Sequence, residues 1–245
     1  MVGPVWDISA VIEVGVASHP GHYREQNEDC ALAAYPIFAV ADGMGGHAAG
    51  EVASALAISV LRGLEGARLG EVEPVISAVE QANERIWAAG SEPGQRGMGT
   101  TLAGCAALTD GAWVVFNVGD SRVLHIHEGE IRQVTIDHSE VQDMVALGIL
   151  APEEAQVHPM RHIVTRSLGA RPDVDVAHER LEVTSGDRLL VCSDGLTDEV
   201  SPDDIFWVLD TARDPQDAAD ALVQAALAGG GHDNVTVVVI DIRDA

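Results

Sequence analysis

The stretch FAVADGMGGHAAG, residues 38–50, decides the fold because it joins a buried strand to a helix through an acidic turn. Apolar and small residues run straight into Asp42, which is typical of a strand that is buried on both faces. Gly43, Gly45 and Gly46 follow, and small and apolar residues at helical spacing begin at Ala48. Because glycine has no Cβ, this turn leaves room for an ion or a ligand next to the Asp42 carboxylate.

Strands and helices alternate on both sides of this stretch. The pattern predicts strands over residues 10–18, 36–42, 187–192 and 234–242, and helices over 48–64, 73–89, 202–209 and 215–227. Glycine pairs with Asp and Glu predict hairpin turns at 109–111 and 128–129. Residues 137–166 break the strand pattern, as lids and binding surfaces often do. We expect one α+β domain over residues 1–245, with pairs of helices covering antiparallel sheets.

Charge and composition exclude several function classes. The 245 residues include 39 acidic and 14 basic ones, for a net charge of −25, and every basic residue is an arginine. Nucleic-acid binding needs a basic footprint, so we expect no nucleic-acid partner. Protein kinases and P-loop NTPases place a lysine on the phosphates, and this chain has no lysine.

Apolar runs and cysteines bear on location. No run of 18 apolar residues and no signal-peptide pattern occurs, so we expect no membrane segment and a cytoplasmic protein. The three cysteines are scattered, without a CxxC pair. A phosphatase with a cysteine nucleophile would need an arginine six residues after Cys192, where this chain has Asp198.

Four aspartates stand beside apolar strands and next to turn residues: Asp29, Asp42, Asp194 and Asp233. Each one taken alone is ordinary turn chemistry. Strand ends in packed sheets gather on one edge, however, and four carboxylates in one site cannot all ionise without compensation. A divalent cation would compensate them, and oxygen ligands favour Mg²⁺ or Mn²⁺ over zinc.

Eight short motifs extend this pattern along the chain: RxxNED (24–29), DGMGGH (42–47), GTT (99–101), VGDSR (118–122), DHS (137–139), TRSLG (165–169), SDGLTD (193–198) and GHDNVTVVV (231–239). In this order they resemble the metal-dependent serine/threonine phosphatases of the protein phosphatase 2C family, in its bacterial form. The resemblance spans about residues 13–242. It implies two packed antiparallel sheets flanked by pairs of helices, an αββα sandwich, with a flap at about residues 139–165.

The resemblance also implies the metal ligands. Asp42 resembles the carboxylate that bridges two Mn²⁺ or Mg²⁺ ions, and Gly43 offers its carbonyl oxygen to one of them. Asp194 and Asp233 resemble direct ligands of the other ion, while Glu28 and Asp29 hold metal-bound waters. Asp120 matches a residue that holds a third, weaker metal together with Asp194. From the residues alone, Asp120 could equally cap backbone amides in a tight turn.

The implied activity is hydrolysis of phosphoserine and phosphothreonine in proteins, opposing a serine/threonine kinase. A water shared by the two metals would lose a proton and attack phosphorus. Arg24 matches the phosphate-binding arginine, whose planar fork suits that task, although a solvated surface arginine is the alternative. Phosphorylated proteins are the expected partners, and we expect a monomer. The proton donor to the leaving group stays open between His47, His162 and a metal-bound water, because Met44 stands where many relatives have a histidine.

Three other functions compete with this interpretation. A catalytically silent binding module with the same fold would usually lack some metal ligands, and here all the matched ones are present. A hydrolase of small phosphate esters could use the same metal centre. A calcium-binding protein would show the EF-hand spacing DxDxDG, which is absent.

Overall fold

The structure is a computed structural model that describes residues 10–45, 49–92 and 97–244. The candidate proton donor His47 lies outside the described residues. The strands are β1 (Ala10–His19), β2 (Asp29–Ala34), β3 (Ile37–Met44), β4 (Gly99–Thr100), β5 (Leu102–Ala107), β6 (Trp113–Val118), β7 (Arg122–His127), β8 (Glu130–Gln133), β9 (Ala177–Leu181), β10 (Arg188–Cys192) and β11 (Val235–Asp244). The helices are α1 (Ala49–Leu61), α2 (Glu73–Ala89), α3 (Glu140–Ala146), α4 (Pro152–Ala155), α5 (Asp194–Thr197), α6 (Pro202–Thr211) and α7 (Pro215–Gly229).

Two antiparallel sheets form the centre of the molecule. The first sheet has the order β1-β11-β10-β7-β8, and the second has the order β2-β3-β5-β6-β9 with β4 paired to β3. All the paired strands run antiparallel. The predicted α+β fold, with two antiparallel sheets flanked by helices, is confirmed.

Burial explains why the strands read as continuous apolar runs rather than alternating ones. Every residue of β5 and β6 is buried, because one face meets the other sheet and the opposite face meets helices. Between the sheets, the rings of Phe38 and Trp113 stack with centroids 5.8 Å apart, and Leu189 and Ile240 pack into the same core. This core holds the two sheets at a fixed separation.

Helices cover the outer faces in pairs. Helices α1 and α2 pack on the second sheet, and α6 and α7 pack on the first. The approach of α7 is close: a Cβ on Gly15 of β1 would lie 2.1 Å from the Pro215 carbonyl oxygen. Glycine at this position therefore lets the start of α7 lie directly on the strand.

Three strands were not predicted: the two-residue β4, and β2 and β9, which have weak sequence signals. Strand β2 reads DCALAA, without the β-branched or aromatic residues that mark strands. Strand β9 reads AHERL, a mostly exposed edge strand. The interruption at 137–166 contains the short helices α3 and α4. Among the described residues, none of the helices combines the length and apolar character needed to cross a membrane.

Candidate metal centre

The ends of four strands bring the predicted acidic residues together. Asp29 opens β2 and lies directly opposite Asp42 of β3 in the antiparallel register. Asp194 opens α5 just after β10, and Asp233 precedes β11, the neighbour of β10. Residues distant in sequence therefore meet at one end of the sandwich.

These residues surround a cleft of about 900 Å³. Seven of the eight predicted site residues line it: Arg24, Glu28, Asp42, Gly43, Asp120, Asp194 and Asp233. The eighth, Asp29, lies beside the cleft through its pairing with Asp42. The geometry thus brings these eight predicted site residues together.

Burial dominates the electrostatics of the cleft, and the crowding of carboxyl groups adds to its effect. Burial raises the pKa of Asp42 well above its usual range, and the charges of Asp29 and Asp194 raise it further. Burial raises the pKa of Asp194 to about 6, with the charge of Asp198 adding to the effect. Each of these two carboxyl groups also acts on the other: Asp194 raises the pKa of Asp42, whereas Asp42 lowers the pKa of Asp194.

The pKa values of Asp29 and Asp120 are raised in the same way. Burial raises the pKa of Asp29 to about 7, although donors from Ser193 and Thr236 lower it. The Asp29 Oδ1 atom is buried and has no hydrogen-bond partner among the described residues. Burial, followed by the charges of Asp194 and Asp137, raises the pKa of Asp120 to about 8.

A divalent cation fits this set of donors. The carboxylates and backbone carbonyl groups of the cleft are hard oxygen ligands, which suit Mn²⁺ or Mg²⁺. A buried carboxylate oxygen without a partner is a ready ligand or water acceptor. A cation would also relieve the repulsion that raises the pKa values, since it supplies the positive charge that the carboxylates lack.

Gly43 has a packing role that the sequence did not reveal. A Cβ at Gly43 would lie 2.3 Å from the Gly50 carbonyl oxygen and 2.6 Å from that of Glu28. The bare turn therefore lets the start of α1 close over β3. This packing requires glycine independently of any ion.

Hydroxyl groups of the GTT motif fix the backbone of Asp42. The Asp42 amide donates to Thr101 Oγ1 at 3.1 Å, and the Thr100 hydroxyl donates to the Asp42 carbonyl oxygen at 2.8 Å. Thr101 Oγ1 also pairs with Ser121 Oγ at 2.7 Å. Sequence reasoning recognised the motif but assigned no role to these threonines.

Asn234 anchors the loop that carries Glu28. Its Oδ1 accepts from the Glu28 amide at 2.8 Å, and its Nδ2 donates to the carbonyl oxygens of Pro20 and Gln26, both at 3.0 Å. The sequence analysis included Asn234 in a motif but gave it no role, because a side chain that supports another through the backbone leaves no charge pattern in the sequence.

Residues 161–164 form one wall of the cleft, with Arg161, His162 and Val164 lining it. His162 Nδ1 lies 3.1 Å from Asp198 Oδ2. His162, Asp194 and Asp198 each offer a ligand atom, and these atoms lie within 4.8 Å of one another. Asp198 is therefore part of the cleft wall.

Comparison with known families matches residues 25–228 to the family model described as protein phosphatase 2C. The chain belongs to the protein phosphatase 2C family. The resemblance stated from the eight motifs is thereby confirmed.

Solved members of the protein phosphatase 2C family share the fold. The Mycobacterium tuberculosis serine/threonine phosphatase PstP superposes with a TM-score of 0.91 at 40% identity, covering 95% of this chain and 99% of that structure. A structure of the PstP catalytic domain in complex with two manganese ions gives a TM-score of 0.86 at 38% identity, covering 96% of this chain and all of that one.

Curated relatives in the family differ in length. The chain is 40% identical to M. tuberculosis PstP over 240 residues, which is 97% of this chain but 46% of that protein. It therefore spans about half the length of that relative. The Streptococcus pneumoniae protein phosphatase PhpP is 33% identical over 249 residues, covering 95% of this chain and 98% of PhpP.

Proposed function

We propose that this chain is a metal-dependent protein phosphatase that hydrolyses phosphoserine and phosphothreonine in proteins. The observation that carries this proposal is the gathering of Asp42, Asp194 and Asp233 into one cleft with Arg24 at its rim. The relatives PstP and PhpP are named protein phosphatases, and the PstP catalytic domain binds two manganese ions, which supports the proposal.

Two Mn²⁺ or Mg²⁺ ions are the proposed cofactors. Asp42 would contact both, with the Gly43 carbonyl oxygen on one ion and Asp194 and Asp233 on the other. Glu28 and Asp29 would hold waters of these ions, and Asp120 with Asp194 would hold a third, weaker one. When bound, the ions supply positive charge and a water of lowered pKa beside the phosphoryl group.

The chain's own side chains bind and orient the substrate. Arg24 is half exposed at the cleft, where its guanidinium can donate two parallel hydrogen bonds to phosphate oxygens. Residues 139–165 act as a flap that contacts the protein around the phosphorylated residue, because Arg161, His162 and Val164 already line the cleft. Asp198 holds the His162 ring in that wall.

The proposal extends to partners and location. Phosphorylated proteins are the substrates, and a serine/threonine kinase supplies them. Residues 1–245 act as one catalytic domain and as a monomer. The three cysteines are unpaired, which supports a reducing compartment such as the cytoplasm.

One assay separates this function from its rivals. Turnover of p-nitrophenyl phosphate and of a phosphothreonine peptide is measured with Mn²⁺ and with a chelator, for wild type and Asp194→Ala. We expect metal-dependent turnover of both substrates, lost in the variant. Absence of turnover in wild type would indicate a silent binding module, and cleavage of the small ester alone would indicate a small-ester hydrolase.

A further inference from the structure

A second group of metal-binding side chains lies at the opposite end of β10 from the acidic cleft. His125 and His127 share one side of β7, because side chains alternate along a strand. Ile126 pairs with Arg188 in the β7–β10 register, which places Asp187 opposite His127. The five residues of β10, about 17 Å of strand, separate this group from the turn that carries Asp194.

The three side chains already converge. Asp187 Oδ2 lies 3.0 Å from His125 Nε2, and Asp187 Oδ1 lies 2.7 Å from His127 Nδ1. Ligand atoms from all three residues lie within 4.8 Å of one another. Zinc binds such atoms at about 2.0–2.2 Å, which puts tetrahedral ligands about 3.4 Å apart. Both nitrogen–oxygen pairs would open by less than about 1 Å to admit the ion.

Neighbouring groups hold the carboxylate in place. The Thr184 amide donates to Asp187 Oδ2 at 2.9 Å, and the Thr184 hydroxyl donates to Oδ1 at 3.3 Å. Hydrogen bonds of this kind orient metal-ligating carboxylates. The side chains of His125 and Asp187 are almost fully buried, whereas that of His127 is 46% exposed. A ligand from solvent can therefore reach the fourth position.

The surroundings favour a cation. A cavity of about 390 Å³ adjoins the histidines, and its lining includes Glu130, Glu179 and Glu182. Two arginines share this lining: Arg132 pairs with Glu179 at 3.5 Å, and Arg180 pairs with Asp110 at 2.5 Å and with Glu182 at 3.7 Å. The three glutamates of the lining therefore outnumber its two arginines. A proton is the competitor: the hydrogen bond to Asp187 raises the pKa of His127.

We propose that His125, His127 and Asp187 form a zinc site, separate from the acidic cleft, that fastens β7 to β10. Two imidazoles and one carboxylate, with solvent as the fourth ligand, match the donor set and geometry that Zn²⁺ accepts. The acidic cleft, which offers carboxylates and carbonyl oxygens, instead suits the harder Mn²⁺ or Mg²⁺.

Zinc titration of the full chain tests this site. Calorimetry with ZnCl₂ is run with saturating MgCl₂ to occupy the acidic cleft, on wild type, His127→Gln and the control His178→Gln, which alters an exposed histidine of β9. We expect wild type and the control to bind zinc with equal affinity, and His127→Gln to bind at least tenfold more weakly.

Imidazole nitrogen resonances of the wild-type protein give a second readout that needs no variant. We expect zinc to shift the signals of His125 Nε2 and His127 Nδ1. Equal zinc binding by His127→Gln and wild type, no zinc binding by wild type, or unchanged signals from both rings would overturn the site and leave a plain His–Asp–His hydrogen-bond network.

Discussion

Arg24 donates a hydrogen bond to Asp233 at 2.6 Å, so the proposed phosphate ligand and a proposed metal ligand form an ion pair. Both side chains are about half exposed, so this pair contributes little stability. A cation on Asp233 would compete with the guanidinium for the carboxylate. We infer that metal binding frees Arg24 to turn toward a phosphate group.

Arg24→Ala should lower kcat/KM for a phosphothreonine peptide by about 10- to 100-fold, since a hydrogen bond between charged groups contributes about 1.5–3 kcal/mol. Affinity for Mn²⁺ should not fall. Arg24→Lys should recover part of the loss, because lysine keeps the charge but not the planar fork. Arg85→Ala, on the exposed face of α2, is the matched control. Equal kinetics for the two alanine variants would contradict the assigned role.

Asp42→Asn should have opposite effects with and without metal. In chelator this substitution should raise the melting temperature. It removes a buried carboxyl group that the charges of Asp29 and Asp194 repel. With Mn²⁺ it should abolish both activity and the metal-induced rise in melting temperature that wild type shows. Thermal unfolding in each condition checks this, with the exposed Asp173→Asn as control. A variant that Mn²⁺ stabilises as strongly as wild type would rule the ligand assignment out.

Ser193→Ala should cost about 1–3 kcal/mol in the free energy of unfolding and weaken Mn²⁺ binding. The Ser193 hydroxyl donates to Asp29 Oδ2 at 2.8 Å and accepts from the Thr236 amide at 3.0 Å. Its loss leaves a buried amide unpaired and removes a donor from a carboxylate whose other oxygen already has no partner among the described residues. Denaturant titration is compared with Ser59→Ala, an exposed serine of α1. A cost no greater than that of the control would show that water replaces the hydroxyl.

Asp241→Asn should cost about 3–5 kcal/mol in the free energy of unfolding, because it leaves a buried arginine without its counter-charge. Arg188 Nε and Nη2 donate to the Asp241 carboxylate at 2.5 and 2.8 Å, and both side chains are about 90% buried. Glu179→Gln, which removes an exposed partner of Arg132 at 3.5 Å, should cost less than about 1 kcal/mol. Chemical denaturation of both variants measures the contrast. Similar costs would show that burial does not govern these pairs.

His138 should make stability fall as the solution becomes acidic. Burial lowers the pKa of His138, and the charge of Arg166 lowers it further, so the ring stays neutral and its Nδ1 accepts from the Gly119 amide at 3.0 Å. The unfolded chain, with a histidine pKa of about 6.5, takes up the proton first. The contribution of neutral His138 to the free energy of unfolding is therefore complete above that pH. It is lost as the pH falls toward and through the lower pKa of the folded state.

His138→Gln should accordingly show a shallower loss of unfolding free energy below pH 6.5 than wild type, a threshold set by the unfolded histidine at about that value. Denaturant titrations at a series of pH values give the two slopes. His178→Gln should keep the wild-type slope. Parallel curves for wild type and His138→Gln would mean that His138 titrates alike in the folded and unfolded chains.

The sequence predicted which acidic residues form the cleft better than it predicted which residues hold them in place. Asp42 and Asp194 could be found because four aspartates stand beside apolar strands, although each one alone is ordinary turn chemistry. The roles of Ser193 and Asn234 could not be predicted, although both residues stand in the motifs. Their partners lie 164 and 206 residues away, and a serine or asparagine beside a turn is common. Asp29 was selected, but the strand that it opens was not, since alanine-rich DCALAA has little β propensity.

The contact of His125 and His127 with Asp187 was also not predicted. His125 and His127 lie on a predicted hairpin, but Asp187 is 60 residues further along the chain and joins them only because β7 and β10 are neighbours. Sheet order of this kind depends on how the whole chain closes, and local patterns do not carry it.

Ser193 follows a strand of the first sheet and its hydroxyl bonds Asp29 in the second, so the cleft straddles the seam between the two layers. Ions bound by both Asp42 on one layer and Asp194 on the other would link the two layers. Sliding of one layer over the other would then separate these two ligands of the same ion. Metal occupancy in this protein would thus report on whether its two sheets keep their relative position.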